Sequence, residues 1–277
     1  MKVYIIGSTG MLGNYVSKFL KQYYEVVNLS RTNLDVSNIS EDTLEYLLKS
    51  FGVNKSDVVI NCAGTIKPRV DQLGDTNAIL VNSVFPRNLS NVCNKLGLRM
   101  IHPTTDCIFS GLKGNYDEND FPDVHDVYGL TKFLGEPKNC TVIRTSIIGE
   151  EINQGRSLVE WVKSEENNTV FGFTNHLWNG VTCLQFAKVC KNIIDKNLFW
   201  VGIKHIYSNT LNKKELVETI SDVYQLNITV TPKQTEVMCD RSLSTVYTDI
   251  LTEFNIPNLK TQIKEMKEFS EILYKEI

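Results

Sequence analysis

No run of apolar residues in this 277-residue chain is long enough to cross a bilayer, so a membrane-spanning helix is not expected. Neither sign of charge is in large excess: the formal balance is -3, which removes any general pull towards nucleic acid or an anionic membrane surface. No Cys-x-x-Cys pair occurs among Cys62, Cys93, Cys107, Cys140, Cys183, Cys190 and Cys239, and their number is odd. They read as buried reduced thiols, which suits a reducing compartment. His102, His125, His176 and His205 are scattered without metal-ligand spacing, so no metal site is expected. No G-x-S-x-G elbow and no Walker phosphate loop appears. No cationic stretch, long apolar stretch and cleavage site open the sequence, so a cytoplasmic location is expected. On that view Asn88-Leu-Ser and Asn227-Ile-Thr are chance triplets and not glycosylation sites. The Glu150-Glu151 pair reads as a solvated loop edge.

What is present is an ordinary globular composition, with 42% hydrophobic and 22% charged residues. Short β-branched runs alternate with helical periods. Val3 to Ile6 reads as a strand and Met11 to Gln22 as a helix; Glu25 to Leu29 and Glu41 to Lys49 repeat the pair. Asp57 to Ile60, Arg99 to His102 and Thr141 to Arg144 read as strands, with helices over Ala78 to Leu96 and Val127 to Glu136. This alternation predicts an α/β, Rossmann-type doubly wound parallel sheet covered on both faces. After Gly149 the pattern is less regular. Helices are expected over Leu184 to Asp195, Lys213 to Tyr224 and Leu259 to Tyr274, and strands over Lys204 to Ser208 and Asn227 to Val230. No repeat or linker is visible. Residues 1–149 are read as a dinucleotide-binding domain to which some later segments return, and residues 150–277 as mainly a smaller substrate-binding lobe.

The turn after the first strand reads Gly7-Ser-Thr9-Gly10-Met11-Leu12-Gly13. Glycines there allow backbone N–H groups to approach a pyrophosphate, and the helix N-terminus then faces the anion. Arg31 follows the second strand, where an adenosine ribose would lie, and no acidic residue ends that strand. An arginine there meets a 2′-phosphate or is a solvated surface residue. Asp35, just beyond, accepts from an adenine amino group or caps the following turn.

Tyr128 and Lys132 are four residues apart and share a face of a helix. A phenol titrates near pH 10, and a neighbouring ammonium lowers that value, which suits a proton donor and acceptor. The fourth strand ends His102-Pro-Thr104-Thr105-Asp106. Loops at the carboxyl ends of parallel strands line ligand crevices, so a threonine hydroxyl there can hold a substrate carbonyl.

In this order the motifs resemble the extended short-chain dehydrogenases, and more narrowly the dTDP-4-dehydrorhamnose reductase family. The matches are Gly7 to Gly13, Asn61-Cys-Ala63-Gly64, Val81-Asn82, Thr104 to Gly111, Tyr116-Asp-Glu118, Tyr128 to Lys132, Gly135-Glu136 and Arg144-Thr-Ser146. Trp178 to Thr182 and Arg241 extend the match less closely into the second half. The resemblance implies an NADPH- or NADH-dependent reduction of the C4 keto group of a nucleotide-diphospho-4-keto-6-deoxyhexose. Tyr128 would protonate the C4 oxygen, Lys132 would bind cofactor ribose, and Thr105 would hold the carbonyl. Asn61, Ala63 and Gly64 would follow the nicotinamide side, with Asn82 in support or in packing. Asp106, Cys107, Trp178 and Arg241 would face the substrate, Arg241 meeting its diphosphate or remaining solvated. The sequence departs from the family where sugar and nucleotide are read, at Cys107, Asn175-His176 and Val181-Thr182. An epimerase or dehydratase of the same fold, a bifunctional epimerase-reductase, and a non-catalytic dinucleotide-binding regulatory protein stay open as alternatives. So does a homodimer.

Overall fold

In the central strands, side chains that point in opposite directions are apolar alike. Val3, Ile5, Val58 and Ile60 enter one core with Tyr15, Val16, Phe186 and Val189. Their neighbours Tyr4, Ile6 and Val59 enter a second core with Leu44, Leu48, Leu89 and Val92. A strand that is apolar on both sides can only lie between two layers of helix.

The computed structural model describes residues 1–151 and 157–274. β1 (Lys2–Ile6) leads into α1 (Met11–Leu20), and β2 (Glu25–Leu29) into α2 (Glu41–Ser50). β3 (Val58–Asn61) is followed by α3 (Lys67–Leu73), α4 (Asp75–Ile79) and α5 (Phe85–Leu96). β4 (Arg99–Thr104), α6 (Val127–Leu134) and β5 (Thr141–Arg144) complete the first half. The second half begins with β6 (Ile147–Ile148), α7 (Leu158–Ser164), β7 (Thr169–Phe173), β8 (His176–Trp178), β9 (Val181–Thr182) and α8 (Cys183–Asp195). It continues with β10 (Gly202–His205), β11 (Leu211–Asn212), α9 (Lys213–Tyr224), β12 (Thr229–Lys233), β13 (Cys239–Asp240), α10 (Thr248–Phe254) and α11 (Leu259–Tyr274).

The large sheet is parallel throughout, in the order β10-β5-β4-β3-β1-β2. The chain steps outward from β1 to β2, then crosses back to β3 and continues the other way. The direction reverses between β1 and β3, so a crevice opens beyond their carboxyl ends. α1 and α8 pack together over one face of the sheet, and α2 and α5 over the other. Outside this sheet, β11, β8 and β13 form a small three-stranded sheet, and β12 pairs with β7.

Most expected elements are present, with three informative differences. The helix expected over Ala78 to Leu96 starts earlier and contains a π-helical turn at Leu80–Val84. Pro86 has no N–H to return to the Asn82 carbonyl, which favours a wider turn at that point. β4 runs on through Pro103, paired with Ile143, beyond the His102 end that the proline suggests. Glu150 is not a solvated edge: it is 5% exposed, accepts a hydrogen bond from the Tyr15 hydroxyl at 3.0 Å and pairs with Lys163.

The end of β5 is tied to the end of α6 by a buried ion pair. Arg144 Nε and Nη2 donate to Glu136 Oε1 and Oε2 at 3.0 and 2.8 Å. Arg144 Nη1 meets His205 Nε2 at 3.0 Å, while His205 Nδ1 faces the Ser244 carbonyl at 2.8 Å. That network assigns the proton to Nδ1, and burial beside Arg144 holds the imidazole neutral, with its pKa down to about 4. Removing one partner of a buried pair strands the other charge. Glu136→Ala is therefore expected to cost about 3–5 kcal/mol of stability in urea unfolding. A loss below about 1 kcal/mol would show that His205 and its neighbours suffice for Arg144.

Candidate active site

The crevice between β1 and β3 holds a cavity of about 280 Å³. Gly7, Thr9 and Gly10 line it from the first turn, Ser30, Arg31, Leu34 and Val36 from beyond β2, and Cys62 to Thr65 from beyond β3. Arg69 on α3 adds a second guanidinium. None of the lining residues is acidic. Gly10 is the N-cap of α1, no side chain caps that end, and its first turn holds no acidic residue. The first N–H groups of the helix are thus left for an anion.

The residues expected to hold a cofactor divide here. Gly7, Thr9, Gly10, Arg31, Ala63 and Gly64 line the cavity. Met11, Leu12, Gly13, Asp35, Asn61 and Asn82 do not. Asp35 is exposed, and its Oδ1 accepts from Ser37 N and Oγ at 3.0 and 2.7 Å, so it caps the following turn. Asn61 is buried and holds the loop, accepting from Ala63 N at 3.2 Å and reaching His102 Nδ1 at 3.2 Å. Asn82, in the π turn, accepts from Thr65 N at 2.8 Å and donates to Thr65 O at 2.9 Å and to Thr131 Oγ1 at 3.3 Å. It is a clasp between the β3 loop and α6.

The catalytic candidates come together at the end of β4. Asp126 caps α6 by accepting from Gly129 N at 2.8 Å, which sets Tyr128 and Lys132 one turn apart on that helix. Gly129 allows the approach: an added Cβ would lie 2.4 Å from the Cys107 carbonyl oxygen. The Thr105 hydroxyl lies near enough to the Tyr128 phenol to lower its pKa. It also accepts from Cys107 N at 3.1 Å and meets Asp106 Oδ1 at 3.2 Å. Lys132 reaches under the loop and donates from Nζ to the Pro103 carbonyl at 3.2 Å.

Burial dominates the electrostatics. It raises the Tyr128 pKa, helped by Cys107, Asp106 and Asp126 and opposed by the Thr105 hydroxyl. Lys132, anticipated from the sequence to lower it, is not among these influences, and the phenol keeps its proton at neutral pH. Burial lowers Lys132 to about 8, with Glu136 pulling it back up. Burial pushes the Cys107 thiol up to about 12, so it is not a nucleophile at neutral pH. His102 is held well below the ordinary imidazole value by burial and by Lys132. Its Nε2 has no hydrogen-bond partner among the described residues.

On the substrate side, Arg241 Nε donates to the Phe109 carbonyl at 2.9 Å. Trp178 is 4% exposed and lines neither this cavity nor the larger one beyond; the Lys213 ammonium lies over its ring at 5.0 Å. The larger cavity, about 560 Å³, is bounded by Ser110, Leu112, His176 and residues 233–239. Arg69 and the 233–239 loop, which line these cavities, carry no signal of their own in the sequence. α3 is seven residues long with a proline at its start, too short to show a helical period.

Comparison with known proteins adds the following. The family model described as RmlD substrate binding domain matches residues 1–241. Methionine adenosyltransferase 2 subunit beta of Xenopus laevis is 24% identical over 242 residues, 80% of this chain and 72% of that protein. Spore coat polysaccharide biosynthesis protein SpsK of Bacillus subtilis (strain 168) is 32% identical over 156 residues, 52% of each. The crystal structure of dTDP-4-dehydrorhamnose reductase from Bacillus anthracis str. Ames in complex with NADP superposes with a TM-score of 0.80 at 19% identity. It covers 96% of this chain and 98% of that one, a likeness of fold.

Lys132 has a measurable cost. Its folded-state value, about 8, lies below the ordinary 10.5, so the unfolded chain binds the proton more tightly. The destabilisation is complete below about pH 8 and fades as pH rises towards 10.5. Lys132→Met is expected to be more stable than the parent by about 3 kcal/mol at pH 7. The gap should narrow towards pH 10 in urea unfolding across a pH series. Equal stability at pH 7 would show that the Pro103 hydrogen bond offsets the burial.

Proposed function

Because the chain belongs to the RmlD substrate binding domain family, we propose that it is a sugar-nucleotide reductase acting on the C4 keto group of a nucleotide-diphospho-4-keto-6-deoxyhexose. What supports this reading is that Tyr128 lies near Thr105 and Lys132 reaches the Pro103 carbonyl, both at the carboxyl end of β4, the end of the sheet where the cavity between the β1 and β3 turns also lies. That cavity fits a dinucleotide: glycine backbone, an uncapped helix N-terminus and two arginines suit phosphate, and Leu34 and Val36 suit a base. Bound reduced nicotinamide would supply the hydride. Thr105 would hold the ketone oxygen, and Tyr128 would give it a proton as negative charge develops there. A phenol raised by burial is protonated before the reaction, as an acid in the reductive direction must be. The proton is then replaced from solvent. Lys132 would bind the ribose hydroxyls.

Two arginines and no acidic lining residue favour the 2′-phosphorylated cofactor. NADPH is expected to bind at least tenfold more tightly than NADH, and Arg31→Ala to reduce that preference, by fluorescence titration. Equal affinities in the parent would remove the 2′-phosphate from the reading.

The decisive assay is NADPH oxidation against dTDP-, UDP- and GDP-linked 4-keto-6-deoxy sugars, with the product identified by NMR. Tyr128→Phe should lose at least a hundredfold in kcat while still binding NADPH. Full activity in that variant would refute the mechanism.

A second reading is favoured by the likeness to methionine adenosyltransferase 2 subunit beta, which extends over 80% of the chain. In it the chain binds dinucleotide as a regulatory subunit of another enzyme. Cofactor binding without turnover over the whole sugar panel would support it over the first.

A further inference from the structure

The large sheet splits beside the catalytic candidates. β3 pairs with β4 only as far as Ile60 beside Ile101. Past that point the chain after β3 stays with β1, Cys62 N donating to the Ile6 carbonyl at 2.9 Å. β4 stays with β5 through Thr104, which lies beside Arg144. Asn61 and His102 bridge the widening gap side chain to side chain at 3.2 Å. One residue further along β4, the Pro103 carbonyl accepts from Lys132 Nζ at 3.2 Å. Asn61, His102 and Lys132 are buried, and so is Thr104, which projects from the same face of β4 as His102.

One backbone donor fixes the hydrogen-bond roles in this group. Ala63 N donates to Asn61 Oδ1 at 3.2 Å, so the other end of that amide is Nδ2, a donor, and it faces His102 Nδ1. Nδ1 is therefore the acceptor, and in the neutral ring the proton sits on Nε2. Burial and the neighbouring Lys132 charge keep the ring neutral. Among the described residues His102 Nε2 has no acceptor, and the Thr104 hydroxyl has no partner either. Lys132 spends one of its three N–H donors on Pro103. An imidazole N–H and an ammonium cannot bond each other, because both are donors. A buried donor left unmet costs about 1–3 kcal/mol, so the two call for a common acceptor. Water is the smallest group that accepts from both, and it still has a hydrogen to give to the Thr104 hydroxyl.

We propose that His102 is a positioning residue for Lys132: its Nε2–H and the Lys132 ammonium share one buried water, in a chain that runs from Ala63 N through Asn61 and His102 to Lys132. The chain joins the loop that lines the cofactor cavity to the residue that would hold cofactor ribose. Pro103 and the water take two of the ammonium hydrogens and leave the third for ribose. This rests on the dinucleotide reading of the site, and it adds to it a part for His102.

The test is a double-mutant cycle on NADPH affinity, read by fluorescence titration. His102→Phe should weaken NADPH about tenfold, the worth of a charge-assisted hydrogen bond. His102→Gln, whose amide N–H can stand in for Nε2–H, should stay within about threefold of the parent. In a Lys132→Met background the change to Phe should cost less than about threefold, because the group it acts through is gone. If His102→Phe does not fold, His102→Asn, whose amide stops short of the Nε2 position, takes its place in the cycle. Long-range proton–nitrogen spectra of the histidine-labelled parent should show Nε2 protonated and Nδ1 unprotonated at neutral pH. A proton on Nδ1, unchanged NADPH affinity in the His102 variant, or an equal loss with and without Lys132 would overturn this role. No arm needs turnover. If no keto sugar is reduced while the coupling to Lys132 persists, the reductase reading falls and the role of His102 stands. NADPH binding without that coupling defeats the role alone, and no NADPH binding by the parent defeats the dinucleotide reading with it.

Discussion

The site depends on how closely α6 can lie against the carboxyl ends of β3 and β4. Two contacts set that distance, and both are backbone to backbone. A Cβ added at Gly129 would sit 2.4 Å from the Cys107 carbonyl oxygen, and one added at Gly135 only 1.7 Å from the Asn82 carbonyl oxygen. Neither neighbour is a flexible side-chain tip that can move aside. Beside or between these contacts lie Tyr128, which is near Thr105; Thr131, which meets Asn82; and Lys132, which reaches Pro103. A shift of α6 by one methyl diameter would separate all three from their partners together.

The buried polar groups near this helix follow one rule: charge is kept only where it is matched. Arg144 and Glu136 form two parallel hydrogen bonds, and His205 and His102 are held neutral by burial. Glu150 is matched by Lys163 and by the Tyr15 hydroxyl. Lys132 departs from that rule, a buried ammonium whose hydrogen-bond partner is a carbonyl and not a carboxylate. Stability alone would not select such a group, which agrees with a role in binding or chemistry.

The sheet was legible because its signal is local. β2 and β5 follow the expected bounds residue for residue, and β1 and β3 shift by one. The glycine turn and the Tyr128–Lys132 spacing were legible for the same reason, since each lies within one element and its flanks. The small sheets of the second half were not. β7, β8, β11 and β13 are two to five residues long and stable only through partners distant in sequence, such as Leu211 beside Trp178. No local period reports such a pairing. Asp35 allowed two readings in the sequence, and the turn cap is visible only in its geometry with Ser37.

The π turn at Leu80–Val84 accommodates one residue more than a regular helix would over the same rise. Every side chain after it is rotated by about 100° relative to those before it. That extra residue is what allows α5 to bury Leu89 and Val92 against the sheet while Asn82 still faces Thr65. Shortening this segment by a single residue would force a choice between those two orientations. Chain length here is therefore as much a specification as residue identity, and substitution tables alone would miss it.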